Sequence, residues 1–170
     1  MPLQVAFLRA INVGKRRVSM DRLRQPLVDL GYDDVSTFIA SGNVVFRART
    51  GVEREIEAAL TSALGFEVTA FVRPAAAIGK ITVNQPFTGS DDLVQVGFVE
   101  KAPAASARRA VEALSDDSNE LTTRGTEVYW LAREGVGRTT VSGAAVEKAL
   151  GAPATFRSVK MLRRLASRLG

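Results

Sequence analysis

Apolar residues recur along this chain two apart in some stretches and three or four apart in others, and the alternation of these spacings predicts its elements. Leu3 to Leu8 is a short apolar run ending at Arg9 and reads as a strand, followed by a loop over residues 10–19 rich in glycine and basic residues. Ser19 is placed to cap a helix with Met20, Leu23, Leu27 and Leu30 on one face, stopped by Gly31. Pro26 falls inside that helix and is expected to kink or shorten it. Val35 to Ala40 and Val44 to Phe46 are β-branched and aromatic, and Ser41-Gly42-Asn43 between them predicts a hairpin. Thr50-Gly51-Val52-Glu53 has the form of a capping box, opening a helix with Val52, Ile56, Ala59, Leu60 and Ala63 on its face and Gly65 at its end. Glu67 to Val72 is the next strand.

The order β-α-β-β-α-β is that of the ferredoxin-like split βαβ motif, in which the first strand lies between the third and fourth. After a connector helix around Ala75 to Ile81 and a turn from Asn84 to Asp92, the order partly repeats. Leu93 to Val99 is a strand, and Pro103 opens a helix with Ala107, Val111 and Leu114 inward. Glu120 to Thr123 and Glu127 to Leu131 form a hairpin across Arg124-Gly125, and Val141 to Leu150 is a helix ended by Gly151. Residues 154–157 supply a last short strand and Val159 to Leu169 a terminal helix. The expected fold is α+β: a ferredoxin-like subdomain over residues 1–73, a connector over 74–92, and a second such subdomain with a basic C-terminal helix over 93–170. Leu3, Val5 and Phe7 lie on one face of the first strand and Ala6 and Leu8 on the other, so its sheet needs cover on both faces.

Composition narrows the chemistry. The 170 residues include no cysteine and no histidine, which removes disulfides, thiolate ligands, thiol nucleophiles and the commonest general base. No structural or catalytic metal and no cofactor is expected, and any chemistry falls to Asp, Glu, Lys, Tyr, Ser or backbone groups. The longest stretch without charge, Val35 to Phe46, is 12 residues and patterned as a hairpin. A membrane span needs about 20. With no basic-then-apolar leader either, the expected location is the cytoplasm. The net charge of +5 divides as +4 over residues 1–49, −4 over 50–152 and +5 over 153–170, so the basic excess lies at the two ends and favours anionic partners.

In this topology the loop after the first strand and the hairpin after the second share one edge of the sheet. That brings Arg9, Asn12, Gly14 and Lys15 toward Ser41, Gly42 and Asn43: cations, amides and small residues suited to a phosphate or carboxylate near a helix N-terminus. The same residues also serve as a tight turn and a strand-end ion pair. Gly14-Lys15-Arg16 is not a Walker A loop, because Arg9 stands where the motif needs glycine and no Ser or Thr follows the lysine. The terminal helix sets Val159, Leu162, Ala166 and Leu169 on one face and Lys160, Arg163, Arg164 and Arg168 elsewhere. That arrangement fits either a solvated basic face or a nucleic-acid grip. The stacking aromatics of an RNA-recognition sheet are absent, since the third strand offers Phe46 alone. Asp33-Asp34, Asp91-Asp92 and Asp116-Asp117 stand beside turn residues as turn formers or caps, and Tyr129 and Trp130 read as packing.

Leu8-Arg9-Ala10-Ile11-Asn12-Val13-Gly14, Ser41-Gly42-Asn43-Val44-Val45-Phe46, Leu64-Gly65-Phe66, Asn84-Gln85-Pro86-Phe87 and Ala154-Thr155 together resemble the bacterial family catalogued as domain of unknown function 1697. The resemblance spans nearly the whole chain and implies two ferredoxin-like subdomains but no activity. The chain departs from it at Ala10, where the family generally has glycine, at Lys15, where a second glycine is common, and at Phe156-Arg157-Ser158, where relatives tend to show Thr-Arg-Asn. The function expected from the residues is a binding or regulatory module for a small anionic or phosphorylated ligand at the Arg9/Ser41 edge. One alternative is an enzyme using the same edge with a carboxylate or Lys15 as acid or base. Another is nucleic-acid binding by the terminal helix.

Overall fold

In a computed structural model of the chain, describing residues 1–11, 17–39, 42–89 and 91–170, two compact units follow one another, Met1–Ile78 and Gly79–Arg168. The first contains β1 (Leu3–Leu8), α1 (Met20–Asp29), β2 (Asp33–Thr37), β3 (Asn43–Arg47), α2 (Glu53–Leu64) and β4 (Ala70–Pro74). Its sheet has the order β2-β3-β1-β4 and is antiparallel throughout, with Ala6 opposite Val44 on one side and Val72 on the other. The first strand is therefore central, as the ferredoxin-like arrangement requires. α3 (Ala75–Val83) leads out of this unit. The second unit contains a 3-10 turn (Asp91–Leu93), β5 (Val94–Phe98), α4 (Ala105–Glu112), β6 (Asn119–Arg124), β7 (Glu127–Ala132), α5 (Gly143–Leu150), β8 (Thr155–Ser158) and α6 (Val159–Leu169). Its sheet order β6-β7-β5-β8 repeats the first, giving two ferredoxin-like subdomains in an α+β chain.

Each unit buries one face of its sheet under two helices. Ala6, Leu8, Val44, Phe46, Ala70 and Val72 meet Leu23 and Leu27 of α1 and Ile56, Leu60 and Leu64 of α2. In the second unit Val128, Trp130 and Leu121 meet Val111 of α4 and Val146 of α5. The opposite face of the first sheet is apolar as well, and Val5, Phe7 and Phe71 are all buried. No helix among the described residues is long and apolar enough to cross a membrane.

Several local expectations are corrected. α1 is not cut short at Pro26 but runs on to Asp29, because Pro26 packs into the core beside Leu23 and Leu27, and this burial offsets the one backbone hydrogen bond a proline removes. Ser19 caps the helix as expected, accepting from Arg22 N. The Thr50 capping box does not form: α2 begins at Glu53 with fully buried Val52 as its N-cap and no side-chain cap bond. Here the burial of Val52 and the acidic first turn, Glu53 and Glu55, anchor the helix instead. β2 lies at Asp33–Thr37 rather than at 35–40, with an irregularity between Asp33 and Ser36, so Asp33 and Asp34 belong to a strand instead of a turn. The face of α6 buries Met161 and Leu165 along with Val159 and Leu162.

Side chains occupy backbone donors on or just ahead of three outer strands. At the β4 edge, Val68 N donates to Thr61 Oγ1 at 3.1 Å and Ala70 N to Glu57 Oε1 at 3.0 Å, both acceptors on α2. Ahead of β8, Ala154 N donates to Glu147 Oε1 on α5 at 2.9 Å, the same device in the second unit. On β6, Asn119 N and Leu121 N donate to Asp116 Oδ1 and Ser115 Oγ at 2.8 and 3.0 Å.

Candidate functional site

The meeting of the β1–α1 loop with the β2–β3 hairpin rests on Gly42. Its φ of +83° is open to glycine at little cost, and its carbonyl accepts from Leu8 N at 2.8 Å. A Cβ there would stand 3.0 Å from Ile11 Cβ and 3.3 Å from Leu8 Cβ, so the absent side chain is what lets the two segments touch. Arg9 follows at the end of β1, and its amide donates to Thr69 O at 2.9 Å on the β4 side. Asn43 is fully buried. Its Nδ2 donates to Phe38 O at 2.8 Å while Phe38 N donates to Asn43 O at 3.0 Å, so the amide group is engaged in closing the hairpin. Gly42 and the Leu8–Arg9 strand end thus lie together, with Asn43 pinning the hairpin beneath them. Asn12, Gly14, Lys15 and Ser41 lie outside the described residues.

Two residues in these segments have positive φ without being glycine, Ala10 at +65° and Ile39 at +58°. Such backbone is strained by roughly 1–3 kcal/mol per residue and persists only where its surroundings impose it. The sequence carries a hint at Ala10 alone, where glycine is the expected residue.

The second unit repeats the closing hydrogen bond, with Val99 N donating to Thr126 O at 3.1 Å. There the connections are short: residues 99–104 join β5 to α4 and residues 125–126 join β6 to β7, six and two residues. The matching connections of the first unit are residues 9–19 and 38–42, eleven and five. Residues 9–19 contain Arg9, Lys15, Arg16 and Arg17 and no acid, whereas residues 99–104 hold Glu100 and Lys101 and no net charge.

Two of the terminal-helix cations, Lys160 and Arg163, face carboxylates. Arg163 Nε lies 2.6 Å from Asp91 Oδ2 and Lys160 Nζ lies 3.2 Å from Asp92 Oδ1. Asp91 and Asp92 therefore anchor α6 as well as opening the 3-10 turn.

Other polar groups that could carry chemistry are committed to structure. Asp116 accepts from Asn119 Nδ2, Thr140 Oγ1 and the amides of Ser118 and Asn119, and these bonds hold its carboxyl below the usual carboxylate range. Asn119, fully buried, accepts from Trp130 Nε1 at 2.9 Å and from the Thr139 hydroxyl. The Tyr129 hydroxyl donates to Ile81 O at 3.1 Å, and burial, then the charge of Glu127, pushes its titration up to about 12. Tyr32 donates to Glu55 at 2.7 Å and stacks on Phe46, and burial followed by that carboxylate raises its titration. Sequence reasoning passed over Arg157. It is buried on β8, donates to Thr155 Oγ1 and to Phe156 O, and desolvation lowers it to about 10. An exposed Arg in a polar-looking tail gives the same sequence signal, so nothing in the string marks it as buried. An open groove of about 450 Å³ between α2 and the approach to β4 is lined by Arg54, Glu57, Thr61, Ser62 and Glu67 among others. Two of these are the acceptors that occupy the β4 edge. Among the described residues no three His, Cys, Asp or Glu side chains gather as a metal-binding group.

A family model described as "Protein of unknown function (DUF1697)" matches residues 1–129. Among solved structures, the conserved bacterial protein SP0830 from Streptococcus pneumoniae is similar over 99% of this chain and 98% of its own, with a TM-score of 0.74 and 23% identity. At that identity the likeness carries the fold alone. A search of curated proteins finds no match.

Proposed function

The chain belongs to the DUF1697 family of proteins of unknown function, and from that premise we propose that it is a binding or regulatory module holding a small anionic or phosphorylated ligand at the edge where the β1–α1 loop meets the β2–β3 hairpin. The observation that carries this reading is the inequality of the two units. Both close the same edge with the same backbone hydrogen bond, yet the second does so with connections of six and two residues and the first uses eleven and five. The fold therefore does not need the longer loops. The longer connection after β1 carries Arg9, Lys15, Arg16 and Arg17 and no acid in its sequence, and a local excess of positive charge near backbone donors favours a compact anion. The short, tightly bonded approach of Gly42 to Leu8 and Ile11 supports a site built ahead of its ligand.

The test is a thermal-shift series against inorganic phosphate, sugar phosphates and nucleotides, because a ligand that binds only the native state raises its melting temperature. At a hundredfold excess over Kd the stabilisation is about 2.7 kcal/mol. Arg9→Ala is expected to remove the shift in the native protein that remains. Shifts unaffected by Arg9→Ala, or absent for every anion, would refute the proposal.

A further inference from the structure

β7 ends at Ala132 and α5 begins at Gly143, so ten residues, 133–142, join them. The matching connection of the first unit, between β3 and α2, is residues 48–52, half as long. Both return to their cores through a buried valine, Val141 and Val52. The added length lies ahead of Val141 and stands out from the core, with Glu134, Val136, Gly137, Arg138 and Thr140 exposed. It holds Gly135, at φ +87°, and a 3-10 turn at Val136–Arg138. At its start Arg133 is fixed, its amide donating to Ser118 O at 2.9 Å and its guanidinium reaching Glu120 at 3.2 Å. At its end Thr140 Oγ1 donates to Asp116 Oδ2 at 2.9 Å and the Thr139 hydroxyl donates to Asn119 Oδ1. Among the described residues, no side chain of residues 134–140 other than these two is hydrogen-bonded or ion-paired. The receiving groups are held independently. Asn119 is fully buried and accepts from Trp130 Nε1 at 2.9 Å, while Asp116 also accepts from the amides of Ser118 and Asn119. A segment so exposed, fastened at one end by two hydroxyls, opens at lower free energy than the strands beside it.

We infer that residues 134–140 form a strap, hinged next to Arg133 and latched by Thr139 and Thr140 onto Asn119 and Asp116, which opens and recloses while β6 and β7 stay paired. Opening leaves Asn119 Oδ1 to Trp130 Nε1 and admits water to an amide that is fully buried when latched. Val136 and Arg138 ride on the strap, so the latch also sets where this exposed valine and cation stand. Two hydroxyl bonds at a partly solvated site together favour the closed form by about tenfold.

The experiment is hydrogen exchange read by mass spectrometry on the full-length protein under native conditions, where exchange follows the open population. Wild type is compared with Thr139→Val/Thr140→Val, since valine keeps the branched shape and removes the hydroxyl. In wild type the amides of 134–140 should exchange faster than those of β6 and β7, yet more slowly than in an unstructured peptide. In the double variant they should exchange about tenfold faster, with β6 and β7 unchanged. Thr140→Val alone, at an exposed site, should give about threefold and decides the matter if the double variant is poorly folded. Exchange of the strap in step with β6 and β7 would mean that it opens only when the unit unfolds. Unprotected exchange in wild type, or rates indifferent to the lost hydroxyls, would mean that there is no latch. Any of these three results overturns the inference.

Discussion

A methyl group at position 42 has no room. It would sit 3.0 Å from Ile11 Cβ, inside ordinary contact distance, on a backbone whose φ of +83° already penalises any Cβ. Gly42→Ala is therefore expected to lower stability by about 2 kcal/mol in urea denaturation, from strain and crowding together. Ala10, at φ +65°, has the reverse logic. Replacing it with glycine relieves left-handed strain but loosens the unfolded chain, two effects near 1 kcal/mol that oppose one another. Ala10→Gly should thus change stability by less than about 1 kcal/mol, and a loss as large as that of Gly42→Ala would show that the Ala10 methyl is a packing contact. Gly42 and Asn43 were both legible as candidate site residues, yet the structure gives Asn43 a buried place and a bond to Phe38 O. Sequence pattern places a residue at an edge. Whether its side chain turns outward or inward depends on contacts made by residues far off in the chain.

At the scale of elements, strands and helices were largely readable because their apolar spacings are regular and their ends are marked. Gly65 and Gly151 terminate α2 and α5 in left-handed conformation, with φ of +78° and +67°. What failed was cap chemistry overruled by packing: Thr50 is the better N-cap by side chain, but burial of Val52 sets where α2 starts. Register within the second sheet has its own lock. A Cβ on Gly97 of β5 would stand 2.7 Å from Phe156 Cε1 on the paired strand β8, and the same ring lies edge-on to Trp130 at 5.8 Å. Gly97→Ala should cost about 1–3 kcal/mol by overpacking. Added to Phe156→Leu, the same change should cost at least 1 kcal/mol less, a coupling that a double-mutant cycle measures directly. Additive costs would mean that the ring moves aside without resistance. Phe156 is also one of the positions where this chain departs from the residues its family resemblance suggests.

The whole molecule is one topology written twice, and the repetition makes the longer connections of the first unit visible as an elaboration of one copy. It also makes the ion pairs of α6 interpretable. Exposed pairs such as Arg163 with Asp91 contribute about 0–1 kcal/mol each, so they orient the helix more than they stabilise the protein.

The acceptors supplied by Glu57, Thr61 and Glu147 occupy backbone donors at or just ahead of outer strands, where a neighbouring copy would otherwise pair. An outer strand with vacant amides is a template on which another chain can grow a fibril, and natural sheets blunt that hazard. Here the crossover helix of each unit reaches down to quench the donors at the start of its last strand, with Pro74 ending β4 without a donor of its own. Two glutamates outside the core thus carry the predicted resistance to edge-to-edge association. A Glu57→Ala, Glu147→Ala double variant is expected to keep its fold by circular dichroism but to form thioflavin-positive aggregates sooner than wild type under agitation. Aggregation at the wild-type rate would mean that the edges are guarded by something other than these carboxylates.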